Sequence, residues 1–338
     1  MINVAVVGCG AISSVHLRAL EKNPGTRVAA VCDIDRETAD ACAKMHRCKA
    51  YYDLDALLAD PAIQSVHICT PHYLHASMAL KVLGAGRHLL LEKPLATSLD
   101  GARAVIRASE ASPCVSGVCF QNRYNDTAAA LQKALASPRS CAVRGARAFV
   151  TWHRTQAYYR SGAWRGRWDT EGGGTLINQA IHTVDLLLWL VGGERAVTGS
   201  IATRLLRGVV EVEDFAEALI SFDGGVNALL YATTGYCEDA PVELEIACEN
   251  AVYRLMDNVL TVSYRDGSGN RLASETVTGE KAYWGTGHAR LIADFYDCVH
   301  TGRRFPIPPR EAFRALSAVL GIYRSAKTGE SVPLADAE

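Results

Sequence analysis

The feature that most constrains this chain stands at its start. An apolar run, Ile2 to Val7, stops at Gly8-Cys9-Gly10 and gives way to a helical pattern from Ala11 to Lys22. A strand that passes through a glycine turn into a helix opens a βαβ unit. The sequence then repeats the alternation. Arg27 to Cys32 reads as strand, Arg36 to about His46 as helix, Ala50-Tyr51 as a short strand and Asp53 to Ala59 as helix. Ser65 to Cys69, His88 to Leu91 and Cys114 to Cys119 read as strands, separated by helical patterns at His72 to Leu83 and Leu99 to Ala111. These strands are apolar almost throughout, as strands covered on both faces are. The pattern predicts an α/β protein with a doubly wound parallel sheet over residues 1–120.

After Phe120 the organisation changes. A helix is expected from Tyr124 to Ala136 and a strand around Arg144 to Thr151. An irregular stretch rich in Arg, Tyr and Trp leads to Gly172-Gly173-Gly174, followed by an apolar helix from Thr175 to Val191. Ala196 to Tyr264 reads as consecutive strands, with turns at Asp223-Gly224-Gly225 and Glu249-Asn250. The alternation in Phe215 to Phe222 and Val242 to Ala247 suits an antiparallel sheet with one covered face. Helices at Gly287 to His300 and Arg310 to Ala326 complete a second domain over 121–338. No flexible linker separates the two, which predicts a tight interdomain cleft.

Bulk properties narrow the function. The formal net charge over 338 residues is -1. There is no basic stripe of the kind nucleic-acid binders show. No apolar run reaches the roughly 18 residues of a membrane span. Met1-Ile2-Asn3 runs straight into a strand without a basic n-region or cleavage site, so no signal peptide is expected. The 11 cysteines are odd in number and form no C-x-x-C pair. That pattern fits reduced thiols in a cytoplasmic protein better than disulfides or structural zinc, and no metal is expected.

The glycine turn carries the first functional reading. Gly8 allows the turn, and Gly10 lets backbone approach a pyrophosphate without a Cβ in the way. Amides opening the helix at Ala11 and Ile12 then point at the phosphates. Ser13 stands where Gly or Ala is usual. Asp33 ends the second strand, where an acidic residue binds the adenosine ribose hydroxyls. An aspartate there disfavours a 2′-phosphate, so NAD is the first choice; Arg36 leaves NADP open. A helix cap is the other reading of Asp33, and Asp35 fits a cap better. Thr70-Pro71-His72 and Glu92-Lys93-Pro94 follow two further strands, at the sheet ends where doubly wound folds bind ligands.

These motifs, with His75, Gly172-Gly173-Gly174, His182, Asp185, His288, Asp294-Phe295 and Tyr323-Arg324-Ser325, resemble the glucose–fructose oxidoreductase, inositol dehydrogenase and rhizopine-catabolism family (Gfo/Idh/MocA). The resemblance covers essentially the whole chain. It implies a Rossmann domain followed by a domain with a large open, mostly antiparallel sheet, often packed in a homodimer or homotetramer. It implies NAD(P)-linked oxidation or reduction of a sugar, glycoside or cyclitol carbon. It also implies that Thr70, Pro71, His72, His75, Glu92, Lys93, Gln121, Trp164 and Arg165 line the cofactor. Lys93 matches the lysine beside the nicotinamide, and His182 the histidine proposed as general acid/base. The family position usually held by aspartate is Asn178, which cannot take a proton at neutral pH.

The residues allow two divisions of labour. His182 acts as base with Lys93 stabilising the alkoxide, or the roles are exchanged. Asp185 is placed to hydrogen-bond His182 or to cap something nearby. Trp164-Arg165 and Trp168 suit sugar rings and hydroxyls, or an oligomer interface. Asn122, Arg123 and Tyr124 are substrate candidates or hinge residues. The glycine triplet permits close approach of a ligand, or only a tight start to its helix. Three activities fit: a dehydrogenase, an NAD-dependent glycosidase or lyase working through transient sugar oxidation, and a non-catalytic sensor suggested by Asn178 alone.

Overall fold

The structure is a computed structural model that describes residues 1–256, 258–273 and 287–338. By contact the chain divides into two compact units, one of 1–121, 288–313 and 337–338, the other of 122–287 and 314–336.

The first unit is built on a parallel sheet. Its strands are β1 (Ile2–Val7), β2 (Thr26–Cys32), β3 (Lys49–Tyr51), β4 (Ser65–Ile68), β5 (His88–Leu91) and β6 (Ser116–Val118), in the order β3-β2-β1-β4-β5-β6. The intervening helices are α1 (Ser13–Lys22), α2 (Arg36–His46), α3 (Leu54–Leu58), α4 (His75–Gly84) and α5 (Leu99–Ala111). Side chains cap three of them: Asp35, Asp53 and Ser98 accept from backbone amides one turn in, as short polar side chains do at helix starts. The strand order reverses between β1 and β4, so Gly8 and Cys69-Thr70 stand at the topological switch point.

The second unit holds helices α6 (Asp126–Leu135), α7 (Gln156–Arg160) and α8 (Ile181–Val191). Its strands begin with β7 (Val143–Thr151), β8 (Glu194–Ala202), β9 (Phe215–Phe222), β10 (Asn227–Thr233) and β11 (Glu243–Cys248). They continue with β12 (Ala251–Met256), β13 (Val259–Tyr264), β14 (Gly269–Ala273) and β15 (Val332–Pro333). Among the described residues these form one nine-stranded sheet, β14-β13-β12-β11-β7-β10-β9-β8-β15. Only the β7–β10 pair is parallel. Along β9, Ala216, Ala218, Ile220 and Phe222 are buried while Glu217 and Leu219 are exposed, the alternation of a sheet with one covered face.

A single break at 120 puts 288–313 in the second domain; by contact that segment belongs to the first unit. The reason is physical. In α9 (Gly287–Thr301), the buried Tyr296 hydroxyl lies 3.0 Å from Ser65 Oγ and 2.8 Å from His67 Nε2. Past α9, the amide of Val118 donates to the Ile307 carbonyl at 3.0 Å, which covers the β6 edge. Gly117 is glycine because a Cβ there would lie 2.4 Å from the Phe305 ring. The last long helix, α10 (Pro309–Thr328), then returns the chain to the second unit.

Several boundaries differ from the sequence reading. Helix α1 begins at Ser13, not Ala11, because Gly10 to Ile12 form a turn. A 3₁₀ turn, His72–Leu74, precedes α4, and another, Gln121–Tyr124, precedes α6. The helix expected from Thr175 starts with a π turn, Leu176–Ala180. The stretch between β7 and the glycine triplet contains α7, and 203–214 is loop where strand was expected.

Tyr296→Phe removes the shared partner of Ser65 and His67. It should cost about 1–3 kcal/mol in a urea unfolding curve, the penalty of leaving buried polar groups unpaired. An unchanged midpoint would show that the hydroxyl does not hold α9 to β4.

Candidate active site

The glycine turn separates into two demands. Gly8 has φ +89°, and a Cβ on it would lie 2.7 Å from the Cys69 carbonyl oxygen, so the fold itself requires glycine there. At Gly10 a Cβ would meet nothing within 4 Å. Packing among the described residues gives no reason for that glycine, whereas close approach of a pyrophosphate does. Ser13 donates its hydroxyl to the Gly10 carbonyl at 2.6 Å, so the departure from Gly or Ala fastens the turn. Asp33 Oδ2 accepts from the Cys9 amide at 2.8 Å, and Oδ1 accepts from Asp35 N at 3.0 Å. The helix cap falls to Asp35, which accepts from Glu37 N at 3.1 Å. Asp33 thus stands against the turn at the end of β2, where ribose hydroxyls would lie. Arg36 rests its guanidinium 4.2 Å from the centre of the exposed Tyr52 ring.

Glu92 points inward. Its Oε1 lies 2.9 Å from His16 Nε2 and 3.7 Å from His288 Nε2, and its Oε2 accepts from the Lys93 amide at 3.2 Å. Burial works against its ionisation, but the hydrogen bond from His16 and the nearby His288 ring outweigh it and hold the carboxyl well below its usual range. Burial keeps His67 and His288 below the ordinary histidine value, so both rings are neutral. One direction of donation satisfies the chain: Ser65 to Tyr296, Tyr296 to His67 Nε2, His67 Nδ1 to His16 Nδ1 at 2.8 Å, and His16 Nε2 to Glu92. The three ligating atoms of His16, Glu92 and His288 lie within 4.8 Å of one another. The direct His16–Glu92 bond accounts for that grouping as a hydrogen-bonded strut.

Two of the expected cofactor residues are held by the protein itself. Glu92 anchors the base of Lys93, joining β5 to α1 and α9. His75 lies with Nδ1 2.6 Å from the Pro94 carbonyl and Nε2 2.9 Å from the Thr70 carbonyl, so it braces the two strand-end loops. Its burial lowers its pKa, which suits a neutral strut. Thr70 donates its hydroxyl to Met78 Sδ at 3.5 Å. Pro71 is half-buried, His72 and Gln121 are buried, and the Lys93-Pro94 peptide is cis.

In the second unit the glycine triplet opens the helix that carries Asn178 and His182. A Cβ on Gly173 would lie 2.1 Å from the Tyr323 hydroxyl, and one on Gly174 2.0 Å from the Glu213 carbonyl oxygen. The triplet is therefore a tight start to the helix. The buried Glu213 carboxyl accepts from Gly174 N at 2.8 Å, Leu176 N at 2.9 Å and the Tyr323 hydroxyl at 2.8 Å. Burial pushes it up to about 7, against the pull of those hydrogen bonds. Sequence reasoning missed Glu213; its only signal was a charged pair, Glu213-Asp214, at the foot of an apolar strand.

Arg123 is buried and bound to Asp185 through both oxygens, Nε to Oδ2 at 2.8 Å and Nη2 to Oδ1 at 2.6 Å. A buried bidentate pair is a structural tie, which fits the hinge reading of Arg123 and gives Asp185 a partner other than His182. Asn122 and Tyr124, on the same 3₁₀ turn, are half-exposed, as is His182. Asn178 Nδ2 donates to Glu171 Oε1 at 2.5 Å. Tyr158 Oη lies 3.4 Å from Asn178 Nδ2 and 3.2 Å from Gln179 Nε2, and accepts from Arg165 Nη1 at 2.5 Å. The Arg165 guanidinium also lies 4.4 Å from the centres of both the Tyr158 and Trp164 rings. Trp168 donates its indole N–H to the Glu211 carbonyl at 2.9 Å and meets Tyr323 edge-on. Glu171 and Tyr158 carried no motif of their own.

Residues 2–120 match the model of an oxidoreductase family with an NAD-binding Rossmann fold, and 128–254 match the GFO/IDH/MocA C-terminal domain. The chain belongs to the Gfo/Idh/MocA family. Inositol 2-dehydrogenase of Paracoccus denitrificans is 32% identical over 56% of this chain and 54% of its own length. The chain spans about half the length of the first curated relatives it matches. D-apiose dehydrogenase of Paraburkholderia graminis is 25% identical over 99% of this chain and 90% of its own. The WlbA dehydrogenase from Bordetella pertussis, solved in complex with NADH and UDP-GlcNAcA, superposes with a TM-score of 0.86 at 27% identity, covering 99% of each chain.

The folded Glu213 carboxyl keeps its proton to about pH 7, while an unfolded glutamate releases it near 4.5. The folded state therefore binds more protons in that window, and stability falls as pH rises through it. Relative to Glu213→Gln, the wild type should lose about 3 kcal/mol between pH 4.5 and 7.5 in denaturant titrations. A difference that stays flat with pH would show that Glu213 does not titrate there.

Proposed function

We propose that this Gfo/Idh/MocA protein is an NAD-dependent dehydrogenase or reductase of a carbinol carbon in a sugar, glycoside or cyclitol. The observation that carries the reading is the pairing of Gly10, open on the side where a Cβ would point, with Asp33 against the Cys9 amide. In that arrangement Gly8, Cys9, Gly10, Ala11 and Ile12 hold the pyrophosphate and Asp33 the ribose. An aspartate carboxylate repels a 2′-phosphate, which favours NAD over NADP. When bound, the nicotinamide takes or gives the hydride.

The protein's part is the proton and the alignment. His182 removes the hydroxyl proton as the carbinol carbon is oxidised, because an imidazole exchanges protons near neutrality. The Lys93 ammonium stabilises the developing alkoxide. Glu92 holds Lys93 from behind through its backbone amide. Asn122, Tyr124, Asn178 and Trp168 are the substrate-side groups, with Trp164 and Arg165 beside the cofactor. Among the described residues no helix is long and apolar enough to cross a membrane. The cysteines are free thiols, which fits a reducing cytoplasm.

The sheet supplies a self-association surface. Leu219 and Leu229 are paired across β9 and β10, 47% and 46% exposed. Phe149 and Tyr231 extend this apolar strip, with ring centres 6.2 Å apart. Its occupant is a second copy of the chain, in a homodimer or homotetramer.

Incubation with NAD and a panel of sugars, glycosides and cyclitols should produce reduced nicotinamide, read at its absorbance band. Lys93→Ala and His182→Ala should each lower kcat by roughly 10²–10⁴-fold. Full turnover in either variant would overturn the assignment of roles. The double variant Leu219→Glu/Leu229→Glu should sediment as a monomer, and an unchanged oligomer would remove this face as the interface.

A further inference from the structure

The proposed dinucleotide site lies past the carboxyl end of β2, at Asp33. The opposite end of that strand opens into a cavity of about 510 Å³. Strand β2 has 7 residues, so roughly 20 Å separate its two ends. The cavity falls within the roughly 300–1,000 Å³ of small-molecule sites. Its wall takes Glu21 from the last turn of α1, Arg27 and Val28 from β2, His46 and Arg47 from the end of α2, and Lys49 from β3. Three permanent cations, Arg27, Arg47 and Lys49, thus stand against two acids, Glu21 and the neighbouring Asp60. Both acids are engaged. Glu21 Oε1 lies 2.7 Å from His46 Nδ1. Asp60 Oδ2 accepts from Lys49 Nζ at 2.9 Å and from the Tyr51 hydroxyl at 2.7 Å. Arg27 and Arg47 are exposed, and among the described residues neither guanidinium has an acidic, hydrogen-bonding or ring partner. Arg47 is also an uncommon residue for its place. It caps α2 at φ +52°, a left-handed conformation in which glycine is the ordinary choice.

We propose that this cavity is a second anion site, for a phosphate monoester: a phosphate group carried on a small organic body. A guanidinium presents paired N–H donors that match two phosphate oxygens, and here two such groups come from neighbouring elements. A monoester at neutral pH carries a charge of about −1.5 to −2, more than one arginine balances. A bare phosphate, a few times the roughly 30 Å³ of a water molecule, would leave most of the space open. The half-buried Val28 gives the organic body an apolar contact. None of these residues belongs to the proposed catalytic or cofactor groups, so the site stands or falls independently of the dehydrogenase reading.

Titration calorimetry on the full chain, with and without saturating NAD, tests this. The probes are glucose-6-phosphate, glycerol-3-phosphate and 3-phosphoglycerate, with inorganic phosphate and glucose as the separate parts. At least one ester should bind once per chain and about tenfold or more tighter than inorganic phosphate, and glucose should give no binding heat. Arg27→Gln and Arg47→Gly should each weaken that ester about tenfold or more, the scale of a lost hydrogen bond to a charged group. Glycine takes the Arg47 backbone without strain, so the second variant keeps the fold. Arg107→Gln removes the same charge from α5 and should change the constant less than about twofold, because exposed charges more than a Debye length away are screened. Absence of binding by all three esters up to about 10 mM overturns the proposal, since even a millimolar constant would show there. Unchanged binding in Arg27→Gln or Arg47→Gly overturns it, as does an equal loss in Arg107→Gln. Inorganic phosphate that binds as tightly as the ester removes the organic body from the site and overturns it too. An ester displaced by saturating NAD sits at the glycine turn instead, which also overturns it.

Discussion

The organisation of the first unit depends on one buried negative charge. Glu92 is ionised in a place where burial opposes ionisation, and two histidines make that state stable. His16 comes from the helix that follows the glycine turn, and His288 from a helix far along the chain. The carboxylate therefore sets the distance between α1 and the end of β5, and with it the distance from the glycine turn to Lys93. A charge without such partners would cost several kcal/mol in this environment. Its partners are held in turn by His67, Tyr296 and Ser65, so the register of α9 on β4 and the placement of Lys93 are one problem with one solution.

The second unit solves a similar problem with a different carboxyl. Glu213 occupies the amides at the start of the π turn, and the Tyr323 hydroxyl completes its shell. The glycines at 173 and 174 exist because Tyr323 and the backbone of Glu213 fill the space that side chains would take. Around Asn178, Glu171 and Tyr158 add a polar shell within an otherwise apolar helix surround. Each unit thus holds an element of the proposed site through a buried acid.

Much of this was legible in the residues. The strand and helix alternation of the first 120 residues, the Gly8 turn, Asp33 as distinct from the cap at Asp35, and a one-faced sheet after 196 all follow from local periodicity and turn chemistry. What stayed hidden has a common cause. Periodicity shows that α9 has an apolar face but not which sheet it covers, so the contacts of 288–313 with the first unit were not legible. Glu92 and His75 were expected to line the cofactor, and Arg123 to meet substrate or act as a hinge, with no sign in the sequence of the protein groups that hold them. Their partners are His16 and His288, Thr70 and Pro94, and Asp185, from other elements or loops of the chain. Glu171 and Glu213 sit in loops with no repeat to mark a buried acid. The π turn, Leu176–Ala180, carries no repeat of its own to mark it in the sequence.

That π turn has a consequence for how such a chain can change over time. A π turn holds one residue more than the α-helical path it replaces. Loss of a single residue within 176–180 would let the helix run on as a regular α-helix, with the covered face of α8 intact. Residues on either side would keep their facing, and within the turn a different side chain would stand beside His182. A lineage built on this fold can therefore exchange the group that stands beside its histidine by altering length instead of residue type. The oily side of α8 would register no difference.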